Sequence, residues 1–334
     1  MAKELEFPID FVVTWVDGAD PKWLKKRNIF EDGNMDDKSE TRFRDYNLFN
    51  YWFRAVEKYA PWVNKIYLVT DNQIPEWLNV DHEKLVLIDH KDIIEKDNLP
   101  TFNSNAIEVN LFKIKKLSEH FVIFNDDMFL NAPVEPSDFF WFDGRPRDTA
   151  GLNAIMPVED FDHITANNIT IINKKFNKMN VIKHNFFKFF NLKNGPLNIY
   201  TLLLLFLPRF TRFYDLHIPY SNLKSEFTNV MKENKDFFEV TSSNKFRSTS
   251  DISIWSVRYT QIAKGNFKPR KFNFGKFYNL TQIEEITQDI KRSKHKVIDI
   301  NDSSDVDSIL FQERVSQLYK AFNVHLSKKS EYEK

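Results

Sequence analysis

The 334-residue chain has no cysteine, which excludes disulfides, thiolate metal sites and thiol nucleophiles and suits a reducing cytoplasm. It has no net charge either. Lys plus Arg and Asp plus Glu both total 47, so no overall field points to nucleic acid or to a strongly acidic partner. Long apolar runs are missing too: the longest, Leu202 to Leu207, is bounded by Thr201 and Pro208 and falls far short of the roughly 20 residues that span a bilayer. The N-terminal MAKELEFPIDF lacks the basic-then-apolar pattern of a secretion signal. We therefore expect the first strand to begin almost at once and the protein to stay in the cytoplasm. What the chain does have is ample apolar side chain for a core, in one large or two modest domains.

Around the Leu run, KHNFFKFFNLK and PRFTRFY interleave Phe with Lys183, Lys188, Lys193, Arg209 and Arg212. That alternation suits a segment lying at a membrane surface. The plainer reading, and our expectation, is a core helix with snorkelling lysines.

The chain is organised around FVIFNDDMF, Phe121 to Phe129, where an apolar run ends abruptly in Asn125, Asp126 and Asp127. A buried strand that delivers two carboxylates at its carboxyl end is where an open α/β sheet holds a metal ion and a phosphorylated ligand. A strand followed by an ordinary turn has the same letters. Three earlier segments share the form: FPIDFVVTWV breaks at Asp17, KIYLVT at Asp71, and Leu85 to Ile88 at Asp89 and His90. Between them, Leu48, Tyr51, Trp52, Ala55, Val56 and Tyr59 recur at helical spacing up to Pro61, with Asp45 as the expected N-cap. A second helix is expected after LPTFNS, capped by Asn105 with Glu108. Such alternation implies a mainly parallel α/β sheet with its carboxyl ends, and hence these aspartates, on one edge.

From about Asp160 to Arg212 the rhythm fades into Asn/Lys/Phe-rich helical segments, which we read as an insertion covering the site. DLHIPYSNLK then supplies His217 and Pro219, and KFRSTSD supplies Arg247 and Asp251 at a helix entrance. KHKVIDIND is a last strand ending in Asn301 and Asp302, before a final helix. The expected division is residues 1–159 and 214–334 for the catalytic core and 160–213 for the insertion.

Four blocks carry a resemblance. They are IDFVVTWVDGADP at Ile9 to Pro21; a long second block from RFRDYNLFNYWF through KIYLVTDNQIPEWL, VLIDHKDI and LPTFNSNAIE to LSEHFVIFNDDMFL; HIPY with KFRSTSDIS; and IDINDSSD with the closing KKSEYEK. In this order they resemble the Stealth proteins, which include bacterial capsule and cell-wall polysaccharide phosphotransferases and the lysosomal-targeting GlcNAc-1-phosphotransferase. Asn47, Phe49 and Trp52 depart from what relatives often carry, without touching the charged positions.

The resemblance implies a nucleotide-sugar-binding core, Rossmann-like or GT-A-like, that transfers a hexose-1-phosphate from a UDP-sugar to a hydroxyl of a glycan, one that is either soluble or lipid-linked. Phosphoryl transfer needs a divalent cation, cations on the phosphates and a base. Asp126 and Asp127 suit Mg2+ or Mn2+, with Asn301 or Asp302 completing the sphere or else capping the last helix. His217 is the expected base, with Asp126 or Asp127 as rivals. Arg247, Arg42 and Arg44 offer bidentate phosphate contacts, unless they are merely solvated or Arg44 pairs with Asp45. Asp17 is expected near the donor. Trp15 either stacks on base or sugar or belongs to the core, and Thr101, Asn103 and Ser104 either hold phosphate and sugar hydroxyls or cap a helix. The rival readings are a GT-A glycosyltransferase releasing UDP and a non-catalytic binding module.

Overall fold

The computed structural model describes residues 5–30 and 44–334; Arg42 lies outside them. Twelve strands are described: β1 (Ile9–Thr14), β2 (Ile66–Thr70), β3 (Leu85–Asp89), β4 (His120–Asn125), β5 (Met128–Leu130), β6 (Arg147–Asp148), β7 (Leu152–Asn153), β8 (Arg212–Phe213), β9 (Tyr220–Leu223), β10 (Lys268–Pro269), β11 (Gly275–Asn279) and β12 (Val297–Asn301).

The central sheet has the order β3-β2-β1-β4-β9. The first four strands are parallel, as the alternation predicted, while β9 runs antiparallel beside β4 and makes the sheet mixed. Both faces are covered, and the side-chain period of two divides each strand between them. Phe11, Val13, Val122 and Phe124 enter one core cluster; Val12, Phe121 and Ile123 enter the other. Helix Phe49–Tyr59 covers the first face, with Trp52 edge-on to Phe124 at 5.5 Å. Phe227, Val230 and Met231 of helix Lys224–Glu233 cover the second.

A second sheet, β11-β12-β5, stands beside the first. The chain leaves β4 at Asn125, turns through Asp126 and Asp127, and enters β5, which pairs antiparallel with β12 so that Met128 faces Asp299. The Ile300 N–H donates to the Asp127 carbonyl at 3.1 Å. One turn thus joins two sheets.

Two local expectations are corrected. The cap of helix Ser104–Glu108 is Asn103, whose side chain accepts from the Asn105 N–H, because Asn105 is already the second helical residue. Asp45 does not cap helix Phe49–Tyr59; it accepts from the Asn47 N–H at 2.6 Å, inside a turn that places Asn47 at φ +53°. The stretch after Asp160 folds into helices Asp160–Lys175, Lys178–His184, Phe186–Phe189 and Leu197–Leu204. The last is no core helix: only Leu197 and Thr201 are buried.

Candidate active site

The carboxyl edge of the parallel strands is where the polar groups collect. Asp127 sits in the turn between sheets, Asp299 lies on β12, and His217 lies just ahead of β9, which β4 fixes through the Ile123–Tyr220 pairing. Ligand atoms of all three lie within 4.8 Å of one another. His217 Nδ1 is 2.7 Å from Asp299 Oδ2; a proton on Nδ1 makes the ring the donor in this bond, and Nε2 lies outside it. Asn301 Nδ2 donates to Asp299 Oδ1 at 3.2 Å.

Burial is the first cause acting on each of these groups. It pushes the Asp127 and Asp299 carboxyls up, Asp127 further by repulsion from Asp299. On His217 burial acts downward, but the charges of Asp299, Asp127 and Glu108 outweigh it and hold the imidazole up at about 9. Asp127 Oδ1 is buried with no hydrogen-bond partner. Asp126 points to solvent beside this cluster. Burial and the charges of Asp127 and Asp45 push its carboxyl up as well, although access to water moderates that field and makes Asp127 the more constrained of the two.

A cleft opens alongside, lined by Ser104, Glu108, His217, Phe161, Arg247 and Trp255 among others. Arg247 donates from Nη2 to Ser104 Oγ at 2.9 Å and lies over the Phe161 ring, while its Nε is buried and unpartnered. Glu108 is buried near His217, Arg247 and Asp127; burial raises its carboxyl to about 7 against the pull of the two cations.

The other candidates divide. Ser104 reaches the cleft, but Thr101 and Asn103 tie one loop to another: Thr101 Oγ1 donates to the Asn244 carbonyl at 3.1 Å and Asn103 Nδ2 to Asp251 Oδ2 at 2.8 Å. Trp15 is a core residue, stacked on Phe49 at 5.6 Å. Asp17 Oδ1 accepts from the Ala19 N–H, and its backbone exchanges hydrogen bonds with the Gln73 amide. Arg44 and Asp302, expected on phosphate and on metal, instead hold each other through two bonds of 2.7 and 2.9 Å. Asp71 is paired with Lys26, and Asp89 caps the turn at His90.

Three residues near this site were missed from sequence. Asp299 stands mid-strand, where an ionisable residue among Val297, Ile298 and Ile300 is itself a signal. Glu108 was read as a cap. The Tyr46 hydroxyl, buried without a partner, has its ionisation suppressed by burial and then by Asp302, Asp127 and Asp299; nothing in its sequence context marked it.

Two family descriptions match the chain: Stealth protein CR1, conserved region 1, over residues 7–35, and Stealth protein CR2, conserved region 2, over residues 42–148. Among curated relatives, the exopolysaccharide phosphotransferase cps2G of Lactiplantibacillus plantarum is 52% identical across 98% of this chain and 97% of its own. The capsular polysaccharide phosphotransferase WcwK of Streptococcus pneumoniae is 46% identical across 98% of both chains. The receptor polysaccharide phosphotransferase WefC of Streptococcus gordonii is 41% identical across 97% of this chain and 98% of its own. With identity of this order sustained over nearly the whole length, and both conserved regions in place, the chain belongs to the Stealth family.

Proposed function

We propose that the protein is a polysaccharide phosphotransferase that moves a hexose-1-phosphate from a UDP-hexose to a hydroxyl of a growing surface glycan, on the cytoplasmic side of a bacterial membrane. The observation that carries this reading is the Asp127, Asp299 and His217 cluster beside a cleft lined by Arg247, whose Nε has no partner.

The residues fit a divalent cation. Two carboxylates and an imidazole in one cluster, with one carboxylate oxygen buried and unpartnered, form an oxygen-rich donor set whose mutual repulsion a hard cation relieves. Asp127 and Asp299 would hold it, with Asp126 and His217 at its margin and Asn301 steadying Asp299. When bound, Mg2+ or Mn2+ would neutralise charge on the transferring phosphoryl oxygens and weaken the carboxylate field that keeps His217 protonated.

The chain's own groups do the rest. Arg247 turns a planar N–H edge toward the cleft, a match for the diphosphate that Lys lacks. Ser104 fixes that edge, and Tyr46 offers a further O–H. The acceptor oxygen attacks the phosphorus next to the sugar, a new P–O bond forms, and the bond from that phosphorus to the bridging oxygen breaks, so UMP departs with the electron pair. The acceptor proton passes to His217 Nε2, while Asp299 holds the ring from Nδ1. The anomeric C–O bond survives. Glu108 stands within the same field as a neutral or ionised neighbour that tunes His217.

The test is the nucleotide released when the protein, Mg2+ or Mn2+, a panel of UDP-hexoses and a short glycan acceptor are combined. UMP formed in step with a phosphodiester-linked product supports the reading. Stoichiometric UDP means glycosyl transfer and overturns it.

A further inference from the structure

The segment between Asp162 and Asp215 differs from the rest of the protein in charge and in what it exposes. Its 52 residues, His163 to Tyr214, hold eight Lys and Arg and no Asp or Glu, within a chain whose charges balance overall. Part of its apolar surface, such as Ile172, Phe189 and Phe213, is buried, but a group of large side chains faces outward. Leu192 is 99% exposed, Phe206 88%, Phe187 83% and Leu203 65%, whereas soluble proteins rarely present large apolar side chains in such a group. In helix Leu197–Leu204 the buried positions are Leu197 and Thr201, and the outward row Ile199, Leu202, Leu203 and on to Phe206 follows helical spacing. The helix is apolar nearly all round, and the fold covers only the Leu197 and Thr201 side of it.

This surface is built. Buried Lys178 donates Nζ to the carbonyls of Leu204, Leu205 and Leu207, capping the helix end. Thr201 Oγ1 accepts from the Leu152 N–H at 3.0 Å, pinning the helix to β7. Asn198 Nδ2 donates to the Asn191 carbonyl at 2.9 Å and holds the Leu192 turn beside it. Phe186 stacks on Phe190 at 5.0 Å. Lys183, Lys193 and Arg209 are exposed around it.

We propose that this face, from Met179 to Arg209, seats the protein on an anionic phospholipid bilayer, with helix Leu197–Leu204 lying in the headgroup plane. Three arguments select that occupant. The helix is about 12 Å long at 1.5 Å per residue, and among the described residues no helix is long and apolar enough to cross a membrane, so it lies on a bilayer and does not traverse it. Cations ringing an aliphatic and aromatic face match an anionic interface. A second copy is disfavoured, because a two-fold contact would set this uniformly basic surface against its own image. Both ends of the segment also lead to the cleft: Phe161 lines it, and Arg209 is eight residues before His217, a span of at most about 29 Å. A membrane-borne acceptor would meet the site there, a placement that rests on the phosphotransferase reading, although the docking face itself does not.

The experiment is cosedimentation of the full chain with vesicles of phosphatidylcholine containing a quarter phosphatidylglycerol, and with pure phosphatidylcholine, at low salt. The expected result is binding to the anionic vesicles that falls at least tenfold in the Phe187→Ser, Leu203→Ser, Phe206→Ser triple variant. Lys183→Glu with Arg209→Glu, or 0.5 M salt, should weaken it several-fold. All these side chains are exposed, so an unchanged melting temperature certifies the fold. Equal binding by wild type and triple variant, no binding at all, or a dimer in sedimentation velocity that the triple variant dissolves would overturn the proposal. UMP release with a water-soluble acceptor reads the other question separately: the triple variant should retain it, and a wild type that binds vesicles without releasing UMP sinks the phosphotransferase reading alone.

Discussion

The cleft and the Met179–Arg209 face break opposite rules of folding. The cleft and the cluster beside it gather Asp127, Asp299, His217, Glu108 and Arg247 where burial raises the cost of every charge; the outer face leaves Phe187, Leu192, Leu203 and Phe206 in water. Each arrangement is unfavourable for an isolated monomer, and for each we have proposed a chemical remedy, a cation and phosphates in one case and lipid in the other. Both are rigidly supported, by strand pairing in the cleft and by the Lys178, Thr201 and Asn198 bonds on the face. The difference lies in what a substitution should do to stability and to function.

The largest effect should come from Asp299→Asn or Asp127→Asn. Either is expected to cut UMP release at least about 10³-fold, in the range seen when a principal stabilising group is lost. With chelator present, Asp127→Asn should raise the melting temperature or leave it unchanged, because it removes a like charge from the cluster. A clear loss of stability in metal-free buffer would mean that the cluster is held together by something other than a cation. Chelator should abolish turnover in the wild type, and Mg2+ or Mn2+ should restore it.

Next, Arg247→Lys should lower kcat/KM by about 10- to 100-fold, mostly through KM for the UDP donor, since Lys keeps the charge and loses the fork. An unchanged KM would remove Arg247 from the donor site.

A third effect is pH-dependent and lies away from the cleft. His90 is buried beside Asp71, its Nδ1 lacks a partner, and burial lowers it to about 4. The unfolded chain, with His near 6.5, binds the proton more readily, so stability is complete above that pH and declines as pH falls toward 4. The decline by pH 5 is about 2 kcal/mol. Urea unfolding of wild type and His90→Phe at pH 7.5 and pH 5 measures it; an equal decline in both proteins would assign it elsewhere.

The smallest effect belongs to the outer face. Leu192→Ser or Phe206→Ser should shift stability by no more than about 0.5 kcal/mol, although the same change at the buried Trp52 would cost several. A larger shift, read by urea titration, would show that the face packs against something in solution and would erase the contrast with the core.

Much of the cleft could be read from the sequence. Four strands ending in aspartate implied a parallel sheet with one polar edge, and Asp127, His217, Arg247 and Ser104 meet there. What was misjudged at β12 follows from the strand period of two: the partner of Asn301 on its own face is Asp299, not Asp302. Arg44 and Asp302 are 258 residues apart in sequence and bind each other, a pairing no local pattern announces. Thr101 and Asn103 were read as ligand-binding or capping residues, and the capping alternative holds for Asn103; loop polar groups look alike until their partners are visible. The Leu run was expected inside because composition alone does not say which side of a helix the fold will cover.

The turn at Asp126 and Asp127 is also a seam in time. Asp127 belongs to the first half of the chain, and Asp299, which pairs with His217 beside it, is near the end. During synthesis the central sheet can assemble while β12 is still unmade, and such a chain carries half a cluster. Only when the ribosome has released residues beyond Asn301 and β12 has docked on β5 does the cluster become whole, so an incomplete chain lacks the Asp299 partner of His217.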